Sequence, residues 1–489
     1  MEMQFEKRTL SCVQPVLENV HTRELTQELR LGDGMPDVGS VLGCWGQVIL
    51  RGKRWESGEA GVNGGVMVWV LCAPEDGGEP MHMESWIPFQ MDWPLPETQT
   101  DGTLQVNALL SSVDARITSA RKLMLRCCVS TMLRAFVPTQ VQIPFPGELP
   151  EDIRVKKVCY RLELPAETGE KAFSLEDTLP LPAGSSKAEK LICCRLQPEV
   201  LDKKVMTDKV VFRGCGLLQM LYRTPEGKLH SETIEMPFSQ YAQLDGEYGE
   251  ETPCSVLPAV TSLETELAEG QLKVKAGLLG QYTVYDRQEI EMVADAYSSR
   301  REVIPMETTL QIPTVLDRTQ RTIPITADLP TQGEEIVNIS FLPSQPERSG
   351  DGVVVDGIFQ TLWYTPDGQL GSQIRRSQGT VDLPAAADST LSAAVLPTGE
   401  AQANSRLKAD VLGEFVTYSG NGIPAVTGLS VGEERPKDPN RPSLILRRAG
   451  EETLWELAKK TGSTVEAIQK ANNLADMPTP GQILLIPVP

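Results

Sequence analysis

Hydrophobic residues along most of this chain occur in short runs rather than at helical spacing. Through residue 431, runs of β-branched and aromatic residues alternate with turns rich in Gly, Pro, Asp and Asn, and long helical patterns are few. This alternation is typical of antiparallel sheets. It predicts a mostly β body, in which periodicity alone leaves both a β-sandwich and a barrel-like sheet open.

The pattern changes near the C-terminal end of the sequence. Thr453 with Glu456 three residues later forms a capping box, and Gly462 follows as a helix stop. An apolar stripe at helical spacing lies between them, comprising Leu454, Trp455, Leu457 and Ala458. Thr464 begins a second helical pattern, and short strand-like runs, LIL and PGQILLIP, flank the pair. The order predicts a βααβ unit, with Trp455 in its core because its helical neighbours are apolar.

Two hairpins in the body have closely similar sequences. Residues 216–227 read GLLQMLYRTPEG, and residues 357–368, 141 positions later, read GIFQTLWYTPDG. Each closes with a Thr-Pro-acid-Gly turn, in which Pro sets one backbone angle and Gly accepts a positive φ. Further along, VKAGLLGQYTVY at 274–285 matches LKADVLGEFVTY at 407–418, 133 positions later. The body therefore contains an internal repeat.

A more divergent copy precedes these two. Residues 65–77, GVMVWVLCAPEDG, match the hairpin that starts at Gly216, and KLMLRCCV at 122–129 matches QLKVKAGL at 271–278. We therefore predict three tandem β-sandwich-like repeats followed by a small α/β domain of βααβ order. The predicted boundaries are 1–150, 151–300 and 301–431 for the repeats, 432–443 for a charged, Pro-rich linker, and 444–489 for the C-terminal domain.

Charge is distributed unevenly between these parts. The chain of 489 residues carries a formal net charge of −20, whereas five cations and five anions balance from Leu444 onward. The whole −20 therefore lies in the body. An acidic body argues against nucleic acid or an anionic membrane as partner, and it either keeps the body soluble or docks on a basic surface.

The first residues of the chain and its cysteines predict a protein that stays in a reducing compartment. Charges occur where a secretory signal needs an apolar core, and no run of eighteen apolar residues occurs, so we expect neither a signal peptide nor a transmembrane segment. The ten cysteines lack metal-type spacing, and the adjacent pairs 127–128 and 193–194 would point to opposite faces of a strand. We interpret most of them as buried thiols in a reducing environment.

Chemistry-bearing residues are sparse. The three histidines, His21, His82 and His230, have no metal partner at helical spacing and no cysteine in a catalytic setting. Acidic pairs such as those at 334–335 and 433–434 fall in turns or the linker. We therefore expect no enzyme activity, no cofactor and no metal, although distant carboxylates meeting in the fold stay open as an acid/base pair.

The C-terminal unit resembles the LysM domain, a small module associated with N-acetylglucosamine polymers such as peptidoglycan and chitin. The resemblance rests on the Thr-Leu-Trp helix start, the Asn-Asn-Leu turn at 472–474 and the Pro-Gly-Gln entry to the last strand at 480–482. It implies a shallow binding groove, for glycan or another partner, between two loops. The implied residues are Gly450, Glu451, Glu452, Thr453 and Leu454 on one side, and Leu474, Ala475, Asp476, Met477 and Pro478 on the other.

The body is similar to the SPOCS domain, the spore coat-associated repeat of endospore-forming bacteria. The resemblance is carried by the hairpin GLLQMLYRTPEGKLHSETIEMPF at 216–238 and the closing strand RKLMLRCCV at 121–129, whereas the third copy lacks the Pro-Phe pair after its hairpin. Tandem SPOCS repeats before a C-terminal LysM domain resemble the SipL-type spore coat morphogenetic family.

Two functions follow as hypotheses. In the first, the protein is a non-enzymatic adaptor whose repeats build the coat layer, with possible self-association, and whose LysM domain docks on a spore coat morphogenetic protein such as the coat-basement ATPase. In the second, the LysM domain anchors the chain to peptidoglycan. LysM sequences usually place Gly directly before the acidic residue that precedes Thr-Leu, whereas here Glu451 stands in that place, and this favours the adaptor. The resemblance implies synthesis in the mother-cell cytoplasm and location at the forespore surface, in the spore coat.

Overall fold

Strands dominate the computed structural model of this chain. The structure describes residues 1–97, 101–180, 188–268, 271–329, 335–383, 387–436, 442–474, 478–479 and 481–488. Within these ranges there are two helices, both near the C-terminal end: α1 Leu454–Thr461 and α2 Val465–Asn472. The predicted mostly β fold is confirmed.

The strands of the first set are β1 Glu2–Gln4, β2 Glu6–Arg30, β3 Val38–Glu56, β4 Glu59–Pro74, β5 Met81–Pro94, β6 Thr103–Ser119 and β7 Lys122–Phe145. Six of them form two three-stranded antiparallel sheets, in the orders β2-β7-β6 and β3-β4-β5. Val66 and Val68 of β4 share one apolar core with Leu123 and Leu125 of β7. Since each sheet buries one face against the other, this unit is a β-sandwich.

The second set has the same arrangement. Its strands are β8 Ile153–Pro180, β9 Lys190–Arg223, β10 Leu229–Tyr248, β11 Cys254–Ala268 and β12 Gln271–Ser298. Although β9 is one continuous extended segment, the Glu189 N–H donates to the Arg223 carbonyl at 2.8 Å. The two ends of β9 therefore lie together, so the segment is a hairpin that reverses near Thr207, where φ is 48°. With β10 it forms one sheet, and β11-β12-β8 forms the other.

The third set repeats this order in shorter strands. They are β13 Arg301–Leu310, β14 Val315–Ala327, β15 Glu335–Pro343, β16 Glu347–Ser349, β17 Gly352–Tyr364, β18 Leu370–Asp382, β19 Ser389–Ala403, β20 Leu407–Ser419 and β21 Ile423–Glu434. β14-β20-β19 and β15-β17-β18 pair as the sheets of the other two sets do. Val315 of β14 also pairs with Glu163 of β8, so β11-β12-β8-β14-β20-β19 is one six-stranded sheet that spans the second and third sets. We call the three sets the first, second and third unit.

One turn recurs at the same place in all three units. Gly77, Gly227 and Gly368 have φ values of 76°, 81° and 75°. Each donates its N–H to the carbonyl three residues earlier, at 3.3, 2.9 and 2.8 Å. The positive backbone angle expected from the repeated turn sequence is thus present three times, in agreement with the role of Gly in such turns.

Beyond the sandwiches, each unit extends a two-stranded ribbon, and the three ribbons pack together. The ribbons are the outer parts of β2 with β7, β8 with β12, and β13 with β21. Val141, Leu164 and Ala425, one from each ribbon, share an apolar cluster. β1 pairs with β21 and so joins the beginning of the first unit to the end of the third. The body is therefore built around this common stem.

The sandwiches also meet each other directly. Trp45, Ile192 and Leu362, one from each unit, lie in one buried cluster. The Trp45 indole N–H donates to Asn338 Oδ1 at 3.1 Å, and Asn338 Nδ2 donates to Ser231 Oγ at 2.8 Å. A polar chain that is buried at Trp45 and Asn338 and partly exposed at Ser231 thus crosses all three units, which argues that they stabilise one another.

The ten cysteines are free thiols, and eight of them are buried. Cys193 packs in the cluster between the units, whereas Cys194 packs in the core of the second sandwich. Adjacent cysteines thus face opposite sides of their strand, as predicted. Burial raises the pKa of Cys193 to about 11, which leaves this thiol protonated and unreactive at neutral pH.

The C-terminal domain has the predicted βααβ order. β22 Leu444–Arg448 pairs with β23 Ile483–Pro487, and α1 and α2 lie between them in the chain. β21 runs to Glu434, which pairs with Arg301, so it enters the predicted linker at 432–443. Residues 437–441 of that linker lie outside the described residues. The domain boundaries drawn from the sequence remain a prediction.

Candidate functional site

The first helix of the C-terminal domain begins at the predicted capping box. The Glu456 N–H donates to Thr453 Oγ1 at 3.3 Å, and the Thr453 N–H donates to Glu456 Oε2 at 2.9 Å. Gly462 ends the helix with a φ of 69°. Because the Thr453 hydroxyl is engaged in the cap, its first role is to fix the start of α1 beside the groove.

The floor of the predicted groove is part of the domain core. Leu454, one of the predicted groove residues, is 6% exposed and packs with Leu457, Ile468 and Leu484. Leu474, from the opposite wall, packs against the same cluster while half-buried. The two leucines thus connect both walls to one core, and Leu454 supplies support rather than an open contact surface.

The first wall of the groove is held by charge pairs. Glu452 accepts from Arg447 at 2.7 Å and also from Lys460. The hydrogen bond from Lys460, together with the nearby Arg447 charge, lowers the pKa of the Glu452 carboxyl. Gly450 and Glu451 are exposed. Only these two of the first-wall residues present unengaged surface.

The second wall is described in part. Pro478 is half-buried and Leu474 donates its N–H to the Gln469 carbonyl at 3.0 Å. Ala475, Asp476 and Met477 lie outside the described residues. The binding role of the ten residues stays a prediction.

Asn472 has a structural role that sequence reasoning missed. Its Nδ2 donates to the Leu485 carbonyl at 2.6 Å, and its Oδ1 accepts from the Leu485 N–H at 2.7 Å. The side chain therefore fastens α2 to β23. The sequence suggested a turn former at this place, and the pairing partner became visible only in the fold.

Trp455 packs against the domain core, as predicted, but at its edge, where it also contacts the body. It is half-buried, and its Nε1 donates to Asp295 Oδ2 of β12 at 2.7 Å. Its ring meets Tyr297 edge-on with centroids 4.8 Å apart, and Lys459 Nζ lies 2.7 Å from Asp295 Oδ1. α1 presents these two side chains to the body one helical turn apart. Trp455 is therefore an interface residue, and the C-terminal domain docks on the second unit.

The outer face of the β22–β23 sheet is apolar and open. Side chains at alternate positions of the two strands point away from the helices. They are Leu444, Leu446, Ile483 and Leu485, which are 50%, 67%, 63% and 37% exposed. Leu446 stands directly opposite Leu485. We call these four residues the outer patch. Consecutive apolar residues in both strands make both faces of this sheet apolar. The sequence therefore contained a signal for an exposed apolar face, and we missed it.

Two of the three histidines stack on aromatic rings. His21 stacks on Trp93 with ring centroids 4.7 Å apart, whereas His230 stacks on Tyr222 in the second unit. In the described ranges no three His, Cys, Asp or Glu side chains cluster as a metal site requires. Neither helix of the described chain has the length and apolar character that crossing a membrane requires. What the C-terminal domain offers is a binding surface.

Fold and site together define a β-rich protein that carries a small binding module. A family model of the LysM domain matches residues 449–487, and one described as SipL, SPOCS domain, matches residues 187–268. The chain thus contains a SPOCS domain in the second unit and a C-terminal LysM domain, the two kinds of domain that the sequence suggested. SPOCS membership of the first and third units stays a prediction.

These two domains support a spore coat-associated protein with a peptidoglycan-binding module. Neither family is defined by catalysis. No curated protein and no solved structure matches the chain.

Proposed function

We propose that this protein is an adaptor of spore coat assembly, in which the body builds the coat layer and the LysM domain docks on a coat morphogenetic protein. The coat-basement ATPase is the partner proposed. Synthesis in the mother cell and location at the forespore surface belong to the same proposal, which rests on the combination of SPOCS and LysM domains.

The observation that carries the docking role is the outer patch. Four large aliphatic side chains lie side by side on a two-stranded sheet, and neither the helices nor the body covers them. Contiguous exposed apolar surface of this kind typically marks a protein interaction site. A shallow glycan groove between two loops requires no such surface on the outer face of the sheet. The patch therefore favours a protein partner.

Arg448 indicates which charge a partner of the outer patch would carry. It follows Leu444 and Leu446 at the same alternate spacing on β22 and is exposed. A partner that covers the aliphatic side chains and offers a carboxylate at the patch rim would match both features.

Peptidoglycan anchoring is the second candidate function. Gly450 and Glu451 are exposed at the predicted groove, and a family model of LysM matches the domain. Backbone amides of such a loop pair with an acetamido group. None of the ten predicted groove residues belongs to the outer patch, so variants can separate the two functions.

Self-association of the body is also part of the proposal. Among the described strands, β5, β10 and β18 lie at the ends of their sheets. Sheet edges offer unpaired N–H and C=O groups to a second copy. Clustering by this route multiplies a weak single-domain affinity by roughly 10²–10⁴ where geometry allows.

Two variants test the docking role in the full chain. Leu446→Glu with Leu485→Glu places charge on the outer patch, whereas Gly450→Trp fills the groove. The Gly450 change is compatible with the fold, since a Cβ there meets no atom within 4 Å and φ is not positive. Binding to purified coat-basement ATPase is measured by biolayer interferometry, and binding to peptidoglycan by sedimentation with sacculi.

For an adaptor, the outer-patch variant loses at least about tenfold in affinity for the ATPase, equivalent to about 1.4 kcal/mol, while Gly450→Trp keeps it. The reverse pattern, with sacculi bound by the wild type and released by Gly450→Trp, would establish the glycan anchor instead. Unchanged ATPase binding by the outer-patch variant would refute docking through this face.

A further inference from the structure

A cavity of about 150 Å³ lies where the three units meet. Strands β3 and β6 line it from the first unit, β9 and β11 from the second, and β15 and β19 from the third. Most lining side chains are apolar, among them Leu50, Leu110, Phe341 and Leu342. Apolar cavities of about this volume bind benzene-sized molecules.

One charged side chain lies in this apolar lining. Arg195 of β9 is 8% exposed. Its Nη1 donates to Ser340 Oγ, and its Nη2 donates to Gln219 Oε1 at 2.9 Å. The Nε–H is buried and has no acceptor in the described part of the chain. A guanidinium carries five N–H donors, so its two neutral acceptors leave donors unused.

The positive charge of Arg195 also lacks a counter-charge. None of the ion pairs among the described residues includes it, and burial lowers its pKa without a carboxylate to oppose the shift. A guanidinium nevertheless stays protonated in proteins. A buried unpaired charge is strongly unfavourable, whereas a paired and hydrogen-bonded one is tolerated.

A second buried arginine shows the ordinary solution. Arg134 of β7 is also 8% exposed, and its Nε donates to Glu18 Oε2 at 3.0 Å. The same chain thus supplies a carboxylate to one buried guanidinium and none to the other, although Nη2 of Arg134 is also buried without an acceptor in the described part of the chain. Arg195, which has no carboxylate, borders the cavity.

We propose that this cavity binds a small organic carboxylate. The carboxylate oxygens accept from the free N–H donors of Arg195, because the planar guanidinium fork matches carboxylate geometry. The apolar part of the ligand lies against Phe341 and Leu342. Gln197 and Pro397, which also line the cavity, are half-buried, so the cavity communicates with solvent. A mostly apolar lining with one placed charge suits such a ligand better than an inorganic oxyanion.

Thermal unfolding of the full chain with sodium benzoate as the probe tests this proposal. Benzoate at about 100 times its dissociation constant raises the Tm of the wild type by roughly 2 °C or more. Benzyl alcohol, which keeps the ring and lacks the charge, gives no rise at equal concentration. Inorganic phosphate at matched ionic strength likewise gives none.

Two variants show whether the effect belongs to Arg195. Arg195→Met removes the unpaired charge at similar volume; without ligand its Tm equals or exceeds that of the wild type, and benzoate no longer raises it. Arg116→Met removes an exposed arginine that is not part of the cavity lining, and it keeps the benzoate response. No Tm rise in the wild type, an equal rise in Arg195→Met, or a rise with phosphate alone would each overturn the proposal. A marked fall in the Tm of ligand-free Arg195→Met would also contradict it.

Discussion

Asp295 is one of the residues that join the LysM domain to the body, and its ionisation is tied to that contact. Partial burial alone would raise the pKa of its carboxyl, but hydrogen bonds from Lys459 and Trp455 outweigh burial and hold the pKa below the ordinary value. The lowered pKa means that the charged form is favoured in the docked state. The contact therefore contributes stability above the ordinary carboxyl pKa and loses it as the pH falls through the lowered value.

Replacement of Asp295 tests this contact. Asp295→Asn is expected to lower the free energy of unfolding by about 1 kcal/mol at neutral pH, because it weakens two partly exposed, charge-assisted hydrogen bonds. The difference from the wild type should shrink as the pH is lowered below 4, measured by thermal unfolding across pH.

Glu291→Gln, on the same strand, is the matched control. Glu291 pairs with Lys157 on an exposed surface, so its replacement should change stability by less than about 0.5 kcal/mol. A difference between Asp295→Asn and wild type that is constant with pH would contradict the assignment of charge to this contact.

At the scale of elements, the turn shared by the three units is the clearest link between sequence and structure. Each turn glycine has a positive φ, and a Cβ added to Gly77, Gly227 or Gly368 meets no atom within 4 Å. Steric contact with neighbours is therefore absent at these three positions, and only the backbone conformation opposes a side chain.

Replacing each turn glycine with Ala should destabilise the protein by a similar amount, about 1–2 kcal/mol, since a non-glycine residue in the left-handed region costs that much. Urea unfolding of the three single variants measures it. Gly450→Ala is the control, because its φ is not positive and its Cβ position is open. Widely different losses among the three would show that the turns are not equivalent.

At the scale of the whole molecule, the three units share their stabilising contacts. The ribbon stem places Phe5, Ile153 and Leu429, one from each unit, in one apolar cluster. The sandwiches add the polar chain from Trp45 through Asn338 to Ser231. A unit taken alone would expose these apolar residues and leave the buried polar groups unpaired.

Residues 1–436 should therefore unfold in a single cooperative transition, because each unit depends on contacts with the other two. Differential scanning calorimetry measures this, with the calorimetric enthalpy equal to the van't Hoff enthalpy. Residues 151–300 alone should melt at lower temperature or aggregate. Three separate transitions, or a second unit that is equally stable in isolation, would contradict a shared core.

Local signals in the sequence determined much of this protein. The capping box at Thr453, the stop at Gly462 and the turn glycines were predictable because each depends on backbone angles and on hydrogen bonds within a few residues. The mostly β body and the βααβ order followed from periodicity for the same reason. The internal repeat further indicated that one arrangement of strands recurs.

Contacts between residues far apart in the chain were decided by the tertiary structure alone. Trp455 has an apolar neighbourhood on its helix, yet it donates to Asp295, 160 residues away. Arg195 lies in a strand pattern that gives no sign of its burial, which arises where three units converge. The sequence left open which face of the β22–β23 sheet is exposed, because both strands are apolar on both faces. Only the packing of the helices on one face left the other open, since periodicity assigns side chains to a face and tertiary contacts decide which face is covered.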